Sequence, residues 1–161
     1  MSGPSAFHEL MGDLDGAMVI VTCRAGGETS GCLVGFSTQC SIDPPLYLVC
    51  ISQRNHTHGV AVRADVLAVH VLDGADHELS KVFGELTGDD VDKLGMVAWT
   101  DVDGVPVLDG TAGWFLGRVV DRFRAGDHTA HVLEPFAGER RRPVVQLGFQ
   151  SVKDMEPGHE P

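Results

Sequence analysis

Two stretches of this sequence combine hydroxyl, amide and cationic side chains in a spacing suited to holding a phosphate. The first, Gly31-Cys-Leu-Val-Gly-Phe-Ser-Thr38, ends a strand-like run in a glycine and two hydroxyls. The second, Ser52-Gln-Arg-Asn-His-Thr57, ends another such run where a helix begins. A helix start offers unpaired N–H donors to an anion. Ser37, Thr38, Arg54, Asn55, His56 and Thr57 together supply enough donors for a phosphomonoester, and Gly35 lets a flat ring approach the backbone. The same residues read equally well as a turn followed by a helix cap with Arg54 solvated. The pattern alone leaves both open.

Other chemistry is harder to find. No G-x-G-x-x-G follows a strand, and there is no Walker-type loop and no G-x-S-x-G elbow. The histidines are His8, His56, His58, His70, His77, His128, His131 and His159. Metal sites favour His pairs three or four apart. Only His128 and His131 are three apart, and on a strand they face opposite sides. His70 shares a face with Val66, Ala68 and Leu72 and reads as a half-buried core residue. Metal binding is not expected.

The elements that must position these residues are mostly strands. Ala17 to Cys23, Ser30 to Phe36, Ser37 to Ile42, Leu46 to Ser52, Val66 to Leu72 and Val97 to Thr100 are apolar, β-branched or alternating. Gly113 to Arg124 and His128 to Pro135 form a pair across Ala125-Gly-Asp127, and Pro143 to Phe149 closes the sheet. Asp43-Pro-Pro45 forbids helix. Short helices are expected over Ala6–Leu14, Thr57–Ala64, Asp76–Leu86 and Asp89–Leu94, the first with Phe7, Leu10, Met11 and Leu14 at helical spacing. Many strands with few short helices imply a β-barrel rather than a doubly wound sheet.

The 161 residues carry 12 Lys+Arg against 23 Asp+Glu, a formal net charge of −11, with 43% apolar and 22% charged residues. One domain with a real core is expected. The charge opposes nucleic-acid and anionic-membrane partners, and no apolar run approaches the ~20 residues of a membrane helix. Cys23, Cys32, Cys40 and Cys50 lie in apolar, strand-like surroundings and read as reduced thiols of a cytoplasmic protein. Arg140-Arg-Arg142 reads as a solvated turn, and residues 151–161 as a frayed tail.

In order and spacing, several short motifs resemble the flavin reductase family, the short-chain NAD(P)H:flavin reductases with the FMN-binding split-barrel fold. They are Ser37-Thr38-x-x-Ser41 with Asp43-Pro-Pro-Leu46, Phe83-Gly84 ahead of Asp92-Lys93, and Gly126-Asp-His128. The resemblance runs from about Phe7 to Leu147. It implies a mainly β domain over residues 6–150, a six-stranded antiparallel split barrel with short connecting helices, forming a homodimer.

It further implies FMN (or FAD) against Leu33-Val34-Gly35-Phe36, held largely by backbone groups. Thr38 and Ser52 to Thr57 flank the ribityl chain and phosphate, Phe83 sits near the far end, and His128 lies beside the flavin and the nicotinamide. The activity implied is hydride transfer from NADH or NADPH to flavin, with His128 positional rather than covalent and a monooxygenase as one partner for reduced flavin. Where many members have a Thr-Ala-Ser-Ser type run, this chain has Leu33-Val-Gly-Phe36, so side-chain hydroxyl contacts are lost there. Asn55-His-Thr57 likewise replaces a serine-rich version. A flavin-storing module and a deazaflavin- or haem-binding barrel are the alternatives.

Overall fold

The structure is a computed structural model and describes residues 2–89 and 91–158. In chain order the elements are α1 (Gly3–Asp13), β1 (Val19–Ala25), β2 (Glu28–Val34), β3 (Ser37–Ser41), β4 (Leu46–Ser52), α2 (His56–Ala61) and β5 (Val66–Val71). Then come α3 (His77–Glu85), β6 (Trp99–Val102), β7 (Val105–Leu108), β8 (Gly113–Ala125) and β9 (His128–Arg140). One antiparallel sheet runs β2-β1-β5-β8-β9-β4-β3, and β6 and β7 form a separate hairpin. This is the split-barrel architecture, mainly β with short helices. Its main sheet has seven strands rather than six, because the chain breaks at Gly35-Phe36 and β3 becomes an edge strand of its own.

Two of the hairpin turns follow their glycines. Gly26 and Gly27 adopt positive φ (57° and 81°) between Ala25 and Glu28, and Gly126 (62°) turns β8 into β9. β1 is mostly apolar, with Thr22 buried among its neighbours, because both its faces are covered. Val19, Val21 and Cys23 join Val49, Ile51, Leu67, Val69 and Leu133 in the barrel interior, where Val60, Ala61 and Ala64 from α2 and its following turn fill the centre. Ile20 faces the other way, with Leu72, Phe83, Leu94, Leu108 and Val152 under α3.

Several expectations change in three dimensions. The stretch 143–149 forms no strand; it makes only the bridges Ala17↔Gly148 and Asp73↔Gln146. Arg142, instead of being solvated, pairs with Asp73 at 2.7 Å and Asp76 at 3.6 Å, holding Asp73 below the usual carboxylate range. Arg141 donates to Leu108 and Thr111. The expected frayed tail begins by packing inward, since Val152 is buried and Met155 rests on the same cluster. Cys40 is exposed on β3, while Cys23 and Cys32 are buried thiols. The helix expected over Asp89–Leu94 crosses residue 90, and His159 and residues 160–161 of the tail also lie outside the described residues.

His70 is fully rather than half buried. It meets the Ile20 carbonyl through Nδ1 (2.9 Å) and accepts from the Leu108 N–H at Nε2 (2.9 Å), so one neutral ring ties β5 to β1 and β7. Burial lowers its pKa to about 4. A depressed imidazole pKa means stability is complete above the unfolded value near 6.5 and is lost as pH falls towards 4, about 3 kcal/mol in all. Urea unfolding at pH 7 and pH 5 should therefore show a smaller acid penalty in His70→Gln, which is less stable than the native chain at pH 7.

Candidate functional site

Strand register brings three chain segments together at one end of the sheet. Ser52, at the end of β4, pairs with His128, the first residue of β9. The Cys50 N–H donates to the Phe36 carbonyl just past β2 (2.9 Å). The Phe36 and His128 rings consequently lie 5.0 Å apart, tilted by 45°. Beside them opens a cavity of about 900 Å³. Leu33, Val34, Gly35 and Phe36 form one wall, Ser52, Asn55 and His128 supply polar groups, and Phe7 and Met11 of α1 with Leu14 at its cap line another side.

His128 is held by its own turn. Its Nδ1 lies 2.6 Å from Asp127 Oδ1, and this hydrogen bond is the main reason the Asp127 carboxyl sits below its ordinary range. With Nδ1–H donated to Asp127, Nε2 is the ring's acceptor. Gln53 fixes the turn by donating its N–H to the Asp127 carbonyl (2.9 Å). Asn55 caps α2 by accepting from the Thr57 N–H (2.9 Å).

The remaining expected phosphate contacts do not assemble here. The Ser37 hydroxyl bonds to Tyr47 (2.7 Å), and Thr38 is exposed and donates to the Gln39 carbonyl. Thr57 is buried against the Ser30 hydroxyl (2.8 Å). His56 lies between Asp89 (2.7 Å) and Glu28 (3.3 Å), on a separate cavity of about 320 Å³. Arg54 is exposed and does not line the large cavity, but its charge helps to lower Asp127. Phe83 is a core residue, 2% exposed, packed so closely on Gly31 that a Cβ there would lie 2.8 Å from its ring; it borders a third cavity of about 330 Å³. The strand β3 and the first turn of α2 scatter these donors because neighbouring side chains point to opposite faces of a strand and to different sides of a helix.

Sequence reasoning assigned no site role to Phe7, Met11, Leu14, Met18, Cys50 and Phe149, which also line the large cavity. The apolar stripe of α1 was the available signal. What seats that helix is remote in sequence: Gln150 Nε2 donates to the Gly12 and Leu14 carbonyls (2.8 and 2.9 Å), and the Gln150 N–H donates to Asp15. No group of three or more metal-ligating side chains gathers among the described residues.

Residues 11–150 match the family model of the flavin reductase like domain. The chain belongs to the flavin reductase-like family. It is 29% identical over 127 residues to a probable flavin reductase of Rhizobium meliloti (strain 1021), covering 78% of this chain and 40% of that protein. It therefore spans less than half of that relative's length. It is also 30% identical over 127 residues to an NADH:riboflavin 5'-phosphate oxidoreductase of Streptomyces pristinaespiralis, covering 78% of this chain and 72% of that one. The crystal structure of an FMN-binding protein from Thermus thermophilus with bound 1-cyclohex-2-enone superposes with a TM-score of 0.74 at 26% identity, over 80% of this chain and 72% of that one.

Gln150→Ala removes both side-chain anchors of the α1 end. It should raise hydrogen exchange of residues 8–14 by about tenfold and cost roughly 1–2 kcal/mol of stability, leaving exchange in β5 and β9 unchanged once the global loss is subtracted.

Proposed function

We propose that this flavin reductase-like chain is an NAD(P)H-dependent flavin oxidoreductase that binds FMN or FAD in the large cavity. The observation that carries the reading is the meeting of an apolar wall, Leu33 to Phe36, with His128, Ser52 and Asn55 in one 900 Å³ space. That donor set fits a flavin: Met18, Val34, Phe36 and Phe149 match a flat, largely apolar ring, and Ser52 and Asn55 suit its polar side chain. Gly35 has room for a Cβ, whose nearest neighbour would be Met18 Sδ at 3.5 Å, so a glycine is not demanded by packing and leaves space on the cavity side.

A bound flavin supplies the hydride acceptor, so the protein needs no nucleophile. Asp127 keeps the His128 ring oriented with Nε2 free to accept a hydrogen bond from a substrate amide or to hold a proton. Phe36 limits that ring's rotation through their contact. Purified protein mixed with FMN and NADH should oxidise NADH. His128→Ala should lower kcat about tenfold or more while leaving the dissociation constant for FMN within threefold. FMN binding without NADH or NADPH oxidation would leave the storage reading in place of the enzyme.

The reading includes a homodimer. Phe7, Leu10 and Met11 of α1 and Leu14 at its C-terminal cap are 57%, 61%, 44% and 58% exposed, and no residue of this helix is buried. An apolar row left open on a helix beside a ligand cavity marks an association face, and a second copy seated there would close the cavity's open side. Leu10 does not line the cavity. Leu10→Asp should therefore shift the sedimentation velocity from dimer to monomer and weaken FMN binding through loss of the second copy.

A further inference from the structure

Behind the cavity, four polar side chains meet between α2, β8 and β9 without serving the flavin reading directly. Arg122 of β8 donates from Nε to His131 Nδ1 at 3.2 Å, and from Nη2 to the carbonyls of Ala61 (3.0 Å) and Ala64. The Ala61 carbonyl is the last of α2 and that of Ala64 lies in the turn that follows, at the helix end where a cation is favoured. On the same helix, His58 Nε2 bonds to the Thr129 hydroxyl at 2.8 Å. His131 is fully buried, and its Nε2 is the one buried side-chain polar atom among the described residues that has no hydrogen-bond partner.

The tautomer follows from these contacts. Nδ1 accepts from Arg122, so the proton of the neutral ring sits on Nε2. The ionisable groups facing the pair are His58 from α2, Arg122 itself from β8 and Asp65, whose charge acts on Arg122; from β4 the neighbour is the apolar Val49. A proton on Nδ1 would set two donors and two like charges against each other, and Arg122 would have to give up its contact. Its hold on the Ala61 and Ala64 carbonyls would go with it. At its other end α2 carries Asn55, which lines the large cavity next to Ser52.

We propose that Arg122 and His131 are positioning residues for α2, and that a proton on His131 releases the clamp and loosens the Ser52–Asn55 edge of the cavity. The link to ligand binding rests on the functional reading above; the clamp itself does not. Burial, with Arg122 and His58 nearby, pushes the His131 pKa down to about 4. A ring freed to solvent titrates near 6.5, so acid favours release. Between pH 7 and pH 5 the release equilibrium should rise about 20-fold.

The test is hydrogen exchange at the Val62, Arg63 and Ala64 amides, which bond back onto α2 and its last turn, measured at pH 7 and pH 5 and corrected for intrinsic rates. The native chain should show the 20-fold rise in opening. His131→Asn, whose amide oxygen accepts from Arg122 in place of Nδ1 but does not titrate, should rise less than about threefold. An equal rise in both overturns the proposal. Should that variant fail to fold, histidine NMR of the native chain decides instead. The α2 amide shifts must titrate with His131, and tracking His58 or His128 overturns it.

For the cavity, Arg122→Gln should weaken FMN binding at pH 7 by about fivefold or more; unchanged affinity, with α2 exchange responding, would overturn the link between clamp and cavity. A native chain that binds no FMN at all would instead sink the functional reading, and the exchange result would still decide the clamp.

Discussion

A sheet bent into a split barrel has an inner face that must be filled, and here a six-residue helix fills it. Val60, Ala61 and Ala64 enter among Val21, Val49, Ile51, Leu67 and Leu133. Only a short helix with small side chains fits, because the space between curved faces is narrow and protein interiors are close-packed. Once α2 is seated, its two ends have fixed jobs. Its N-terminal cap, Asn55, lies on the large cavity, and its C-terminal carbonyls lie within reach of Arg122. The same helix that completes the core therefore also builds one edge of the candidate site.

The outer face is held differently, by buried polar groups with specific partners. His70 joins three strands through both ring nitrogens, and Arg142 draws residues after β9 onto Asp73 and Asp76 at the end of β5. These contacts carry residues 147–155 back across α3 and α1, where Leu147, Val152 and Gln150 lock in. The large cavity depends on that return. Gln150, bonded to Gly12, Leu14 and Asp15, fixes the end of the helix that supplies Phe7 and Met11.

The strands were legible because their signals are local. The β1 run is largely apolar since both faces are covered, and the Gly26-Gly27 and Gly126 turns announce their hairpins through the backbone conformation they need. The Leu33–Phe36 wall and His128 were legible from motifs whose order resembles a known family. Of the phosphate cluster only Ser52 and Asn55 reach the large cavity, because it was drawn from residues consecutive in sequence. Successive side chains point in different directions on a strand and on a helix alike, so Thr57 turned inward to Ser30, His56 to Glu28 and Asp89, and Ser37 to Tyr47. Arg142 escaped for the opposite reason: its partners Asp73 and Asp76 lie some seventy positions earlier, and no local pattern marks them.

By itself the sequence determined a mainly β fold, the existence and order of its principal strands, the α1 stripe and, through ordered motifs, a resemblance to the family to which the chain belongs. Those properties follow from periodicity, turn chemistry and ordered short motifs, all of which act over a few residues. The tertiary structure decided which strand ends share a cavity, which histidines are buried and neutral, and which cations are tied up in pairs. Those outcomes turn on register and on contacts between residues far apart in the chain. A side chain's chemistry is set by what packs against it.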